Sequence, residues 1–297
     1  MFFSRLSFYN IGIALYFCLA CQVAQAWSGK VHVQLGNTVF ELLSEKEQAY
    51  YQKLAETLPQ KNVPFNNMSN WIDAIRGEPL YEVFNQRLPK ALYEFRQRHT
   101  GTWHYENEFY HGNLKFHGVN GKHSCRMENK GNLETALIAI DKALKGDTSS
   151  EQEAILIAFA MHLMEDLHQP LHTTALVRAD CSHDRGGNLY CLNVIAGRCV
   201  VNLHSLWDQA FNAANDSGFL RSIKLADKPL LPLRTRIALK LHQGHELARK
   251  AYNIQENKPP NAAYIEWARG ITELQLERSV QDVTHYLKSH YETKSSE

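Results

Sequence analysis

Residues 159–172, Phe-Ala-Met-His-Leu-Met-Glu-Asp-Leu-His-Gln-Pro-Leu-His, constrain this chain more than any other stretch. Their apolar spacing is helical. On a helix, residues four apart lie one above the other on one face, so His162 and Asp166 aim an imidazole and a carboxylate at one point. Pro170 ends such a helix, because the residue before a proline is driven out of the helical region. The chain then turns after Gln169 and brings His172 back from another direction, where a second ion can sit. The same spacing recurs in Asn202-Leu-His-Ser-Leu-Trp-Asp208, where His204 and Asp208 share a face. One such pair is weak evidence, since a His and an Asp at that spacing are usually a surface pair or a capped core histidine. Two pairs, in a chain with 15 histidines among 297 residues, point to a metal centre.

Length and composition suit one globular domain, or at most two: 44% of the residues are hydrophobic, 21% are charged, and there is no low-complexity tract or clear repeat. Residues 1–26 stand apart. Arg5 precedes an apolar run from Ile11 to Ala20, and Ala24-Gln25-Ala26 matches a small-x-small cleavage site. The run is shorter than the roughly 20 apolar residues a membrane span requires. A signal peptide over 1–26 and a mature domain over 27–297 are therefore expected, with a secreted or periplasmic destination. A competing lipoprotein box at Leu19-Ala20-Cys21 would leave residues ahead of Trp27. The mature chain keeps Cys125, Cys181, Cys191 and Cys199, an even number suited to an oxidising compartment. Three pairings are open: Cys191 and Cys199 can bridge a hairpin turning at Ala196-Gly197, and Cys181 competes for either. The formal net charge of +1 provides no strong long-range field for duplex DNA. Local capture of phosphate by a metal cluster, and stacking of single-stranded bases on aromatic side chains, remain open.

Helical periodicity runs over about 38–58, 70–76, 86–98, 132–144, 151–168, 201–214, 232–254 and 262–290, so the fold class is all-α. The exception is Asn188–Val201, whose β-branched content suggests a two-stranded excursion on the helical body. Residues from about 101 to 131, rich in Gly, Asn and His, read as an irregular loop at a substrate mouth.

Cleavage after Ala26 would make Trp27 the N-terminus, where an α-amino group and its own carbonyl can chelate a metal, with His32 nearby in sequence. Two further segments fit: Asn70-Trp-Ile-Asp-Ala-Ile-Arg76, with Asp73 one turn from Arg76, and Thr102-Trp-His-Tyr-Glu-Asn107. In order, and over nearly the whole mature chain, these segments resemble the zinc-dependent single-strand nucleases of the S-one/P-one family. The resemblance implies a mainly helical domain with a trinuclear zinc cleft, holding three Zn2+ per chain. One ion would take Asp73, His104, His162 and Asp166; a second, His172, His204 and Asp208. The third would take the Trp27 amino and carbonyl groups, His32, and Asp166 as a bridge. Arg76 stands at the family's phosphate-binding arginine and Tyr105 at an aromatic position of its base pocket. Asp184-Arg-Gly-Gly-Asn188 also looks like the family's pattern. The implied activity is endonucleolytic hydrolysis of single-stranded DNA and RNA to 5′-phosphate products, with 3′-nucleotidase action on mononucleotides. The expected form is a monomer with no stable membrane association once the signal is removed.

This chain departs from the family pattern in places. Asn107 stands where fungal members carry an aspartate that orients water; an amide can hydrogen-bond but cannot act as a base. Gln209 replaces an asparagine that contacts the base in some members. His168 is not a family ligand, and a structural or supporting role is expected for it. His99, His111, His117, His123 and His183 read as ordinary loop histidines. Two rivals remain: a zinc phospholipase C, which has glutamate in place of Asp208, and an exported zinc-binding protein with impaired catalysis.

Overall fold

The computed structural model describes residues 27–111, 130–227 and 231–296. The expected signal segment lies outside the described residues, as do Cys125, His117 and His123. Helix α1 (Gly29–Leu42) buries Val31, Leu35 and Val39, one helical face four residues apart. It is followed by α2 (Glu45–Ala55). The single helix predicted over about 38–58 is thus two helices, and the first begins earlier than its periodicity suggested. Leu43 and Ser44 adopt extended backbone, and Ser44 starts the new helix with a capping box in which Glu47 Oε2 accepts from the Ser44 amide at 2.7 Å.

Helices α3 (Met68–Ile75) and α4 (Leu80–Val83) come next. The helix predicted over about 86–98 is only a short 3-10 segment, Lys90–Phe95, entered through Pro89. Left-handed backbone at Asn85 and Gln86 stops propagation before it, and the Arg96 and Arg98 carbonyls accept from the Tyr81 and Leu80 amides. Strand β1 (Glu108–Tyr110) pairs in parallel with β2 (Thr174–Leu176), an element that sequence periodicity did not announce.

Helix α5 (Leu133–Leu144) packs against α6 (Ser150–Asp166), the centre of the molecule. From Glu153 to Asp166 every residue of α6 is buried, as expected of a helix apolar on all sides. It starts at a Ser149–Gln152 capping box and ends before Gln169, whose extended backbone leads into Pro170. The expected hairpin is β3 (Cys191–Ile195) and β4 (Arg198–Asn202), antiparallel, with left-handed Ala196 and Gly197 in the turn. A Cys191–Cys199 disulfide crosses it with a Cα–Cα distance of 5.7 Å. Cys181 is disulfide-bonded too.

The helix predicted over about 201–214 is cut to α7 (Leu203–Asp208), because Ala210, Phe211 and Asn212 all take positive φ. Helices α8 (Ser217–Ser222), α9 (Leu233–Ala251) and α10 (Ala262–Ser296) complete the chain. The first of these was not expected from periodicity. The fold is mainly helical, with one large core around α6 and a smaller one formed by residues such as Leu171, Leu203, Trp207, Tyr252 and Tyr264. His162 and Asp166 border the first core, and His172, His204 and Asp208 border the second. Among the described residues no helix is long and apolar enough to cross a membrane.

Candidate metal centre

Six segments deliver the clustered side chains. Helix α6 presents His162 and Asp166, whose Nε2 and Oδ2 are 3.1 Å apart. Helix α1 lays the His32 ring on His162, with centroids 4.2 Å apart, and brings His32 Nε2 to 3.6 Å from Asp166 Oδ1. Helix α3 contributes Asp73, whose Oδ1 lies 3.9 Å from both His104 Nδ1 and His162 Nε2. The segment before β1 supplies His104, with Nδ1 2.8 Å from His162 Nε2 and 3.1 Å from Asp166 Oδ2. On the other side, His172 and His204 stack at 5.0 Å, and His204 Nε2 is 3.4 Å from Asp208 Oδ2. His172 Nδ1 is 3.8 Å from Asp166 Oδ2, so Asp166 stands between the two halves.

Three sets of donor atoms lie within 4.8 Å of one another: His104, His162 and Asp166; His172, His204 and Asp208; and His32, Asp73 and His162. The second has the same residues as a grouping expected from the sequence, and the first has three of the four expected together, without Asp73. The third associates His32 with Asp73 and His162, a grouping that was not anticipated.

The ring nitrogens facing away from the cluster are held in place. His162 Nδ1 meets the Ser69 carbonyl at 2.9 Å, His172 Nδ1 the His104 carbonyl at 2.6 Å, and His204 Nδ1 the Gly186 carbonyl at 2.6 Å. His32 Nδ1 is bound to the Glu165 carboxylate. Such outer hydrogen bonds fix tautomer and ring orientation, leaving Nε2 as the lone-pair donor. The carbonyl at 186 is available because the turn there is glycine: φ is +63°, and a Cβ would fall 2.4 Å from the Leu171 carbonyl oxygen. Asp184 anchors the same turn, accepting from the Leu176 amide and the Tyr252 hydroxyl, each at 2.8 Å. Gln169 is fully buried and donates to Asp208 Oδ1 at 2.7 Å while its own oxygen accepts from the Leu171 amide.

The inward-facing atoms, by contrast, are unsatisfied. His32 Nε2, both Asp73 oxygens, Asp166 Oδ1 and His172 Nε2 are buried with no hydrogen-bond partner, and His104, whose Nδ1 faces the cluster, leaves its far nitrogen Nε2 unpartnered as well. Buried polar atoms are nearly always paired, so this concentration of orphans at one point fits residues arranged to hold cations. The electrostatics agree. Burial favours neutral His162, but Asp166 and Asp73 outweigh it and raise its pKa to about 9. Burial pushes His172 down to about 3 and lowers His104, which leaves both imidazoles neutral. Against its burial, Asp166 is held well below the usual carboxylate range by His162 and His172. Burial raises Asp208 well above that range, and Asp166 and Asp73 add to the effect. Three carboxylates converge in a largely buried cluster, a charge distribution that a bound divalent ion would neutralise.

Around this cluster, Arg76 Nη1 lies 3.7 Å from Asp73 Oδ1. Tyr105 is half-buried; burial raises its phenol, whereas Arg185 and Arg76 pull it down, so both guanidinium groups act on this side chain. Asn107 is buried with an unpartnered Oδ1. Gln209 is exposed at the C-cap of α7. Trp27 is completely buried: its indole N–H donates to the Glu165 carbonyl at 2.9 Å, and the Ser28 amide donates to the Asp208 carbonyl at 2.9 Å. The start of α1 is thereby tied to the ends of both α6 and α7. His168 lies outside the cluster, bonded through Nε2 to Asp282 Oδ2 at 2.9 Å, which gives it the structural role expected.

Glu165 and Gln169 were given no role from sequence, and Arg185 was noted only within the 184–188 element. No local signal marks Glu165 as a partner of His32, because their contact exists only through the packing of α1 on α6.

No curated protein matches the chain. A family model described as S1/P1 nuclease matches residues 27–295, beginning at the buried tryptophan and covering every residue of the cluster. A match of that extent, on a mainly helical fold whose imidazoles and carboxylates gather in three sets able to hold metal, settles the relationship: this chain belongs to the S1/P1 nuclease family and is a nuclease.

Proposed function

We propose that this chain is an exported, zinc-dependent endonuclease that hydrolyses single-stranded DNA and RNA to 5′-phosphate products and also removes the phosphate of 3′-nucleotides. The observation that carries the reading is the set of buried, unpartnered nitrogen and oxygen atoms on His32, Asp73, His104, Asp166 and His172. Neutral imidazoles and carboxylates are the donors zinc prefers in catalytic sites. The residues that would hold it are Asp73, His104, His162 and Asp166 for one ion, and His172, His204 and Asp208 for another. Trp27, His32 and Asp166 would hold the third. Zinc bound there supplies Lewis acidity toward phosphoryl oxygens and acidifies water near neutral pH.

The chain's own residues do the remaining work. Asp166 has one oxygen toward His32 and the other toward His104, His162 and His172, which suits it to bridging. Asp73 holds Arg76 at the edge of the cluster, where a guanidinium offsets charge developing on a phosphoryl group in the transition state. Asn107, buried with a free carbonyl oxygen, accepts a hydrogen bond from water and orients it without removing its proton. Tyr105 offers a half-buried ring on which any base can stack, and Gln209 offers an amide to a base edge. A net charge of +1 is consistent with a strand held locally rather than by a long-range field.

The signal pattern over residues 1–26, the disulfide between Cys191 and Cys199, and the family match that begins at Trp27 support the export reading. The mature domain is then residues 27–297.

The test is an assay of purified protein beginning at Trp27 against single-stranded DNA, RNA and a 3′-mononucleotide, with zinc supplied and then chelated. Zinc-dependent release of 5′-phosphate products is expected. Inert nucleic acid combined with hydrolysis of phosphatidylcholine would overturn the reading in favour of a phospholipase.

A further inference from the structure

Away from the cluster, the turn joining α9 to α10 encloses an open cavity of about 560 Å3. That is within the roughly 300–1,000 Å3 range of small-molecule sites. Its wall carries the half-buried Trp267, and its rim carries the exposed Lys250, Lys258, Asn253 and Asn261. Among the described residues, neither ammonium lies within salt-bridge distance of a carboxylate, whereas Arg178 is paired with Glu256. The aromatic wall is rigid: Trp267 packs on Trp207 with centroids 5.8 Å apart and on Tyr264 at 5.5 Å. Tyr264 is itself locked, accepting from the Trp207 indole N–H at 3.0 Å and donating to the Ala251 carbonyl at 2.7 Å. Trp207 belongs to α7, so the cavity wall packs on the helix that carries His204 and Asp208.

We propose that this cavity is a second nucleic-acid subsite, which takes a nucleobase against Trp267 and the adjoining phosphates at Lys250 and Lys258. The ring supplies stacking that tolerates any base, the two ammonium groups supply phosphate contacts, and the amides of Asn253 and Asn261 serve base edges or sugar hydroxyls. The choice of ligand rests on the single-strand nuclease reading. The subsite would bind a stretch of strand distinct from the one being cut, so long substrates gain affinity that mononucleotides do not.

The experiment measures binding of a hydrolysis-resistant phosphorothioate (dT)12 to the zinc-loaded protein by fluorescence anisotropy over a range of salt concentrations, alongside hydrolysis of a 3′-mononucleotide. In a Lys250→Gln/Lys258→Gln variant the affinity should fall about tenfold. The slope of log K against log salt should shrink by about 1.4, near 0.7 for each lost single-strand phosphate contact. Mononucleotide hydrolysis should stay within about twofold of the parent. Trp267→Leu should weaken (dT)12 binding with the salt slope unchanged. Unaltered affinity and slope in the lysine variant would overturn the proposal. So would a loss confined to Trp267→Leu and independent of salt, which would mark the wall as a site for a neutral ligand such as a sugar. Because binding is read without turnover, a protein that binds (dT)12 through these lysines but cuts no nucleic acid would refute the catalytic reading and leave the subsite standing.

Discussion

His162 and His168 lie fewer than two helical turns apart in sequence, both are buried, and both face an aspartate, yet their surroundings differ in kind. At His168 the chain supplies its own counter-charge. Asp282 accepts from the imidazole at 2.9 Å and has Lys240 Nζ at 3.2 Å and Arg236 Nη1 at 4.0 Å. At His162, among the described residues, there are Asp166 and Asp73, further imidazoles, and no lysine; the one guanidinium there, Arg76, stands 3.7 Å from Asp73. The same residue pair is therefore a structural tie where cations of the chain balance it and a candidate ligand set where they do not. Composition and spacing cannot tell these cases apart, whereas the local sum of charge can.

The sharpest way to break this contrast is Asp166→Ala. It should cost roughly 10^3-fold or more in kcat/KM on single-stranded DNA, the scale seen when one member of a cooperating catalytic set is removed, and metal analysis should show ions lost. A variant that kept both metal and rate would place the centre elsewhere. Chelation should come next in size: removing an ion present at about a thousand times its Kd should lower stability by about 4 kcal/mol for each site emptied, read from urea denaturation. Equal stability with and without metal would mean that the orphaned atoms find partners among themselves.

Asp282→Asn tests the other half of the contrast. Activity should be unchanged while stability falls by about 1.5–3 kcal/mol, the range for hydrogen bonds involving a charged group. Despite burial that opposes it, His168 and Lys240 hold Asp282 below its ordinary pKa. Its contribution is therefore present above the unfolded value of about 3.9 and lost as pH falls through the folded one. Parent and variant stabilities should converge below about pH 4, and a constant gap there would contradict the assignment. The smallest effect is expected at Asn107. Asn107→Asp should change kcat by less than about tenfold but add a carboxylate limb to the acid side of the pH–rate profile; an unaltered profile would remove residue 107 from the site.

The parts of this centre that could be read in advance are the local ones. His162 with Asp166, and His204 with Asp208, declare themselves because a spacing of four is a property of a single helix, and Pro170 fixes the turn that returns His172. The Ser44–Glu47 capping box was present as a signal for the break between α1 and α2, but the apolar pattern running across it masked it. Glu165, Gln169 and the Gly186 carbonyl were illegible for a different reason. Each acts on a residue carried by another element, so its role exists only once α1, α6 and α7 have packed. The parallel β1–β2 pair is three residues long on each side, too short for alternation to show.

That short ladder has a consequence for the order in which the molecule assembles. Glu108 pairs with Thr174 across a long stretch of chain, and the same seam carries the Glu106 amide to the His172 carbonyl at 2.9 Å and His172 Nδ1 to the His104 carbonyl. Contacts between segments so distant in sequence carry a loop-closure cost before they return any stability, and they form late. The helices around α6 can collapse without them, but the two halves of the ligand cluster cannot meet. On the proposed reading, metal would then arrive at a core already built and act as a latch on the finished fold, slowing unfolding and leaving the rate of folding largely as it was.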